Sequence, residues 1–361
     1  MQLKQLVLRN FRNYVDEAIT FSPGVNLIYG KNGAGKTNLL EALYLLSTGR
    51  SFRTAHLTDL IRTDSSHFYI EAQFEKDGID QSLSIGFDGK NRKIHHNAAT
   101  LSNFSHLLGI LPSVLYAPTD SQLVAGAPID RRRFLNIQLA QCDPLYVHHL
   151  MRYHKAMKNR NALLKTKTEK SLDSWEEMMA HSAVYLMEKR AALIEGLKPK
   201  LQEFTKVLSD ENDFFDLVYA PSISMKHLDQ LQTIFQKGRK KEFLLGTTLN
   251  GPHRDDFLIS YNKTEAKIYA SEGQKRTCVA ALKLSERDRL TKEEALLSID
   301  DFGIHLDERR KSLLHTAISS VGQVFLTVPS DEFIGEVAHD RFLYVEGGTV
   351  TSDQLYVGKV Y

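Results

Sequence analysis

Eight consecutive residues, Gly30-Lys31-Asn32-Gly33-Ala34-Gly35-Lys36-Thr37, constrain this chain more than any other feature. They follow the apolar run Val25-Asn26-Leu27-Ile28-Tyr29 and precede Asn38-Leu39-Leu40-Glu41-Ala42-Leu43, which has helical character. Glycines between a strand and a helix let the backbone wrap an anion with its N–H groups turned inward, and the helix start adds its positive dipole end. The G-x-x-x-x-G-K-T spacing in this setting marks a nucleotide site. All eight residues are expected to bind the phosphates of a nucleotide, with Lys36 reaching the β and γ groups and Thr37 offering its hydroxyl to Mg²⁺.

Composition narrows the class. A chain of 361 residues can form two domains, or one domain with a large insertion. Its 46 Lys and Arg nearly balance 44 Asp and Glu, so any nucleic-acid surface must come from uneven placement of charge. The apolar run from Ile110 to Ala117 is broken by Pro112 and is too short to cross a bilayer. With no apolar signal core at the amino terminus, a cytoplasmic protein with no membrane partner is expected. Cys142 and Cys278 are too few and too far apart for a disulfide framework or a metal pair, and both are expected to be buried. His95-His96 and His148-His149 lack companions at zinc-ligand spacing.

Three stretches follow one another. Up to about residue 110 the pattern is strand-like, with alternation in Leu3 to Leu8, Phe68 to Phe74 and Gln81 to Phe87, and turn signals at Pro23-Gly24 and Asp77-Gly78. From about 129 to 241 it is helical. Leu172, Trp175, Met179, Leu186, Leu193 and Leu197 recur on one face, and Gly196 and Pro199 are expected to bend or break that helix after about 36 Å. Strands are expected again at Phe257 to Tyr261, Ala266 to Tyr269, Leu296 to Ile299, Val324 to Val328 and Phe342 to Val345.

A nucleotide hydrolase also needs a second magnesium contact and a group that acts on water. The apolar strand Ala295-Leu296-Leu297-Ser298-Ile299 ends in Asp300-Asp301. Asp300 would hold Mg²⁺ through water, and Asp301, with Lys36, would be catalytic, orienting or deprotonating the attacking water.

The segment Ala270-Ser271-Glu272-Gly273-Gln274-Lys275-Arg276 resembles the signature motif of the ATP-binding-cassette (ABC) superfamily, a Ser-x-Gly-Gln turn that opens a helix. In that superfamily the turn binds the γ-phosphate of the nucleotide held by the opposite subunit. The resemblance implies that Ser271, Gly273 and Gln274 bind ATP across an ATP-dependent homodimer. Ser271 and Gln274 also have the spacing of a capping box, which could serve only to begin the helix.

The order of several further blocks resembles the RecF family, recombination-mediator ATPases related to the heads of structural-maintenance-of-chromosomes proteins. These blocks include Leu8 to Tyr14, Thr48 to Arg53, Pro118-Thr119-Asp120, Gly126 to Leu135, Tyr153 to Asn161 and Gly251 to Asp256. The resemblance implies an α/β ABC-type P-loop ATPase head with an inserted, mainly helical second lobe. Residues 1–110 and 290–361 would form the first lobe, and 111–289 the second, including the signature motif. It further implies weak DNA-stimulated ATP hydrolysis and binding of single- and double-stranded DNA at gaps or junctions. Action with RecO and RecR in gap repair, replication restart and the SOS response is implied too. Two positions depart from the family pattern: Ile304-His305 stand where Ser-Glu is usual, and Lys31 where an acidic residue is common.

DNA contacts are expected among Arg131-Arg132-Arg133, the set Lys155, Lys158, Arg160 and Lys165, and the run from Lys237 to Lys241. Two other classes share parts of this pattern. A transporter ATPase would carry the same nucleotide motifs, and a nuclease could use Asp255-Asp256 with Asp300-Asp301 as a two-metal site.

Overall fold

The structure is a computed structural model and describes residues 1–209, 213–223, 228–290, 295–303, 308–319, 322–328 and 338–353. The chain opens with β1 (Gln2–Phe11), β2 (Tyr14–Thr20) and β3 (Val25–Tyr29), then α1 (Lys36–Thr48). Next come β4 (Phe68–Lys76), β5 (Ile79–Phe87), β6 (Arg92–His96), β7 (Ala99–Leu101) and β8 (Ser113–Tyr116). The helical stretch holds α2 (Gln122–Ala125), α3 (Pro128–Cys142), α4 (Pro144–Lys165) and α5 (Leu172–Leu208), followed by β9 (Phe215–Ala220) and α6 (Leu228–Leu245). After it run β10 (Asp256–Tyr261), β11 (Thr264–Glu265), α7 (Ala266–Tyr269) and α8 (Glu272–Leu290). The last elements are β12 (Leu296–Ile299), α9 (Glu308–Ser319), β13 (Val324–Val328), β14 (Arg341–Glu346) and β15 (Thr349–Asp353).

Packing separates one compact unit, residues 1–120, 203–212 and 272–361, from a second, residues 121–202 and 213–271. These limits differ from the sequence boundaries of 110/111 and 289/290. The reason is that β8 pairs in parallel with β12, and α8 packs against β8, within the first unit.

Two six-stranded sheets build the first unit. The antiparallel sheet has the order β2-β1-β4-β5-β6-β7. Its inner face carries a cross-strand row, Leu8, Ile70, Ile85 and Ile94, none more than 1% exposed. A register shift between Leu3 and Gln5 lets Leu3 and Leu6, three positions apart, both be buried, where strict alternation would put them on opposite faces. The other sheet has the order β15-β14-β3-β13-β12-β8, with its five strands from β14 to β8 parallel. Helix α1 packs against β4 and β5 of one sheet and β8 and β13 of the other. Both of its flanks are therefore apolar, and Leu39, Leu40, Leu43 and Leu46 lie in the core. Strands covered on both faces read as near-continuous apolar runs, as β12 and β13 do apart from Ser298 and Thr327.

The second unit surrounds a three-stranded antiparallel sheet, β11-β10-β9, with α3 packed on β10 and α4 on α3 and α6. Strand β9 lies inside the stretch that the sequence marks as helical. Residues Ala266 to Tyr269, expected as a strand, form α7 instead. The hairpin turn at Asn262 and Lys263, both at positive φ, leaves only two residues of β11 before Ala270 N–H bonds back to the Ala266 carbonyl. Helix α5 does not break at Gly196 or Pro199 but runs 37 residues, about 55 Å. A proline inside a helix costs about 3 kcal/mol. Leu193, Ile194, Leu197 and Leu201 around it are at most 1% exposed, and each such burial contributes about 1.5–3 kcal/mol. Cys278 is buried as expected, whereas Cys142, at the end of α3, is exposed.

Candidate active site

Strand β3 delivers the phosphate loop to the carboxyl edge of the parallel sheet, and α1 starts at Lys36 directly after it. Gly35 has φ +126°, and a Cβ there would come within 3.0 Å of Asn13 and Tyr14. Those two side chains clamp the loop from β1–β2: Asn13 Nδ2 donates to the Ala34 carbonyl at 2.7 Å and Tyr14 Oη to the Gly35 carbonyl at 2.9 Å. A Cβ on Gly30 would sit 2.2 Å from the Val345 carbonyl, so the loop's entry also needs glycine. Gly33, at φ +81°, has open space beside it.

Lys36 is only 5% exposed and donates to the carbonyls of Gly30 and Lys31. Burial holds its ammonium below the usual lysine range, and the charges of Asp301 and Asp300 offset part of that shift. An anion arriving beside it would restore that charge preference.

The adjacent carboxylates come from β12, which is separated from β3 only by β13. Thr37 Oγ1 donates to Asp300 Oδ1 at 3.0 Å, and Thr327 Oγ1, from β13, donates to the same oxygen at 2.8 Å. The Asp301 N–H in turn donates to Thr327 Oγ1 at 2.7 Å. Burial pushes the Asp300 carboxyl up, and Asp301 adds to this, while the two hydroxyls pull it down. Asp301 takes φ +53°, a left-handed conformation that Asp tolerates better than most residues. A hydroxyl and a carboxylate at hydrogen-bond separation form a hard-oxygen donor pair. That pair fits Mg²⁺, which is held by one or two protein oxygens together with water and substrate phosphate.

A charged network behind the loop is not legible from the sequence. Glu41 of α1 is fully buried and receives the Arg12 guanidinium at 2.7 and 2.8 Å, together with the Ser51 hydroxyl. Asn38 donates to Asn13 at 2.8 Å and accepts from Arg53 at 2.7 Å. No local pattern assigns Asn13, Tyr14 or Thr327 a role either. The signals that could have drawn attention are a lone Thr in the apolar β13 and a polar pair at the β1–β2 turn.

Ser271 is exposed immediately before α8, with Gly273 and Gln274 half-buried in the first turn of that helix. A Cβ on Gly273 would meet Arg310 of α9 at 2.8 Å. Ile304 and His305 lie outside the described residues.

Several expected DNA-contacting groups are internal. Arg131 makes a bidentate pair with Asp256 at 2.7 and 2.8 Å. Arg160 is fully buried and bonds Glu176, Glu242 and Thr248. Arg239 is only half-buried, and it pairs with the buried Glu176 and the exposed Asp173. These side chains are structural because a buried guanidinium needs carboxylate partners. Lys155, Lys158, Lys165, Lys237, Lys240 and Lys241 remain exposed. Asp255 is fully buried and accepts from Arg190, Tyr219 and the Ser222 N–H. With both carboxylates of Asp255-Asp256 occupied this way, a two-metal nuclease site loses half of its ligands.

A phosphate loop and an Asp-Asp strand end joined through Thr37, on a parallel sheet backed by an antiparallel one, define an ABC-type P-loop ATPase head. The RecF/RecN/SMC N-terminal domain family matches residues 2–347. The DNA replication and repair protein RecF of Protochlamydia amoebophila is 45% identical over 354 residues, covering 95% of this chain and 98% of that protein. RecF of Chlamydia caviae is 40% identical over 335 residues, 91% of each chain. The solved recombination mediator RecF with ATP, of the RecFOR pathway, superposes with TM-score 0.89 at 31% identity, covering 98% of this chain and 97% of that one. The Smc head of Pyrococcus furiosus shares the fold, with TM-score 0.60 at 16% identity. The chain belongs to the RecF family of DNA replication and repair proteins. No described helix is long and apolar enough to cross a membrane.

Proposed function

We propose that this chain is an ATP-dependent DNA-binding protein that closes as a homodimer over two ATP molecules and opens on slow, DNA-stimulated hydrolysis. The observation that carries the proposal is the Thr37–Asp300 contact, which joins the glycine-rich loop to the carboxylate that ends β12. The loop from Gly30 to Thr37 binds the phosphates, and Lys36 neutralises their charge. Thr37 and Asp300 hold Mg²⁺, which offsets phosphate charge when bound. Asp301 orients the attacking water and accepts its proton. Ser271, Gly273 and Gln274 receive the γ-phosphate of the partner's nucleotide, so that ATP is needed for closure.

The names of the relatives support a place in DNA replication and repair, and that of the ATP-bound structure supports action with RecO and RecR. Replication restart and SOS induction follow as cellular roles. The partner is single- and double-stranded DNA at gaps or junctions, gripped by the backbone and not by base sequence.

Mass in solution tests this directly, measured with and without ATP and then with gapped DNA. A dimer should appear only with ATP, and DNA should be retained by that dimer. Lys36→Ala should weaken ATP binding by about 10- to 150-fold, the loss of one charged hydrogen bond of about 1.5–3 kcal/mol, and abolish dimerisation. Unchanged ATP affinity in that variant overturns the site.

A further inference from the structure

We propose that Arg132 and Arg254 form a phosphate-binding site for nucleic acid on the second unit, an inference that rests on the DNA-binding function above. Pairing within that unit is the starting point. Arg131, Arg132, Arg190 and Arg254 gather near Asp255 and Asp256, and these two carboxylates are taken: Asp256 by Arg131 and Asp255 by Arg190. Among the described residues, neither Arg132 nor Arg254 makes an ion pair with a carboxylate. Arg132 donates instead to a neutral acceptor, the Asp255 carbonyl, at 2.9 Å. This places its guanidinium against the residue that follows Arg254, which is itself exposed at the end of the turn Pro252–Arg254.

The charges are therefore crowded and only partly compensated. Burial, then Arg190, and further down Arg254, disfavour the charged form of Arg132, while Asp256 and Asp255 favour it. Such an arrangement costs stability in the free protein, and an arriving anion relieves that cost.

The turn is also rigid. Arg190 Nη1 donates to the Pro252 carbonyl at 2.6 Å, and the Ser222 N–H donates to Asp255 at 2.8 Å. At Gly251 a Cβ would lie 2.3 Å from Tyr153 Oη, so the chain is packed tightly where the turn begins. A fixed turn limits where the Arg254 side chain can reach, and its planar fork matches two phosphate oxygens. Neither group belongs to a base-reading pattern, so the site grips backbone without regard to sequence.

The test uses the full-length protein with ATP and gapped duplex DNA over a range of salt. Arg254→Gln should weaken binding by about tenfold at low salt and reduce the slope of log K against log salt by about 0.9. The loss should be equal for duplexes of different sequence. ATP affinity should not move and the melting temperature should hold or rise slightly, because the variant removes one crowded charge and Arg254 makes no ion pair among the described residues. Arg254→Lys should keep the salt slope. If the unaltered protein binds DNA but Arg254→Gln matches it in affinity and slope, the site is wrong and the functional reading stands. Loss of polyglutamate binding with DNA affinity retained would also overturn the site, giving the arginines to an acidic protein. Absence of DNA binding by the unaltered protein overturns the functional reading and the site together.

Discussion

Thr37, the second residue of α1, donates its hydroxyl to Asp300 at 3.0 Å and so joins the phosphate loop to the end of β12 across 263 positions of sequence. Thr327 from the strand between them donates to the same oxygen and also accepts from the Asp301 N–H. The paired hydroxyls therefore fix Asp300, and through Thr327 they fix the backbone that presents Asp301.

Asp300 should make the nucleotide-free protein sensitive to pH. Its folded value is raised above the ordinary 3.8, so the folded state binds this proton more readily than the unfolded chain does. Its contribution to stability is present at low pH and is lost as pH rises from about 3.8 through the raised folded value. Asp300→Asn should remove this dependence, melting higher than the parent at neutral pH while losing Mg²⁺-dependent ATP binding. Melting curves across pH without nucleotide, followed by ATP titration, check both halves.

Asp301→Asn keeps the shape and removes the base. ATP should still bind, turnover should fall about 10²- to 10⁴-fold, and the dimer should persist longer. Single-turnover hydrolysis beside sedimentation checks this, and a parental rate would take the catalytic role from Asp301.

Ser271→Arg puts a bulky cation where the partner's γ-phosphate should dock, leaving the subunit's own loop intact. A monomer that binds ATP with near-normal affinity but does not dimerise is expected. Mixing it with Lys36→Ala should restore partial ATPase activity, since one composite site then keeps both Lys36 and Ser271. Normal dimerisation by Ser271→Arg alone would reduce the segment to a helix cap.

Arg160→Ala should behave as a core mutation. It takes from the buried Glu242 the arginine that pairs with it and leaves Glu176 with Arg239 alone, a change that costs about 3–5 kcal/mol. The melting temperature should drop sharply, with loss of DNA binding explained by unfolding. Calorimetry separates this from a surface contact: a DNA defect with unchanged melting would return Arg160 to the surface set.

The local geometry of the glycine-rich loop was largely legible because its parts are neighbours in sequence. Gly35 is needed where φ is +126°, and Lys36 and Thr37 follow it in the first turn of α1. An Asp-Asp pair after an apolar run also announces itself. The misreadings have physical causes. Pro199 did not break α5 because burial on that face outweighs one lost bond, and Ala266 to Tyr269 became helix because the preceding hairpin consumed the strand. Arg131 and Arg160 look like surface cations in any window of sequence, and become structural only when Asp256, Glu176 and Glu242 arrive from elsewhere in the chain.

By itself, then, the sequence determined the backbone geometry of the glycine-rich loop, since a glycine's freedom and a helix start depend on immediate neighbours. It also determined the apolar runs that had to become buried parallel strands. Tertiary structure alone decided which carboxylate each cation meets, that Asn13 and Tyr14 hold the loop, and that Thr327 organises both aspartates. The energy of a buried charge or hydroxyl is set by the partner within hydrogen-bond reach, and the folded chain brings that partner from up to several hundred residues away.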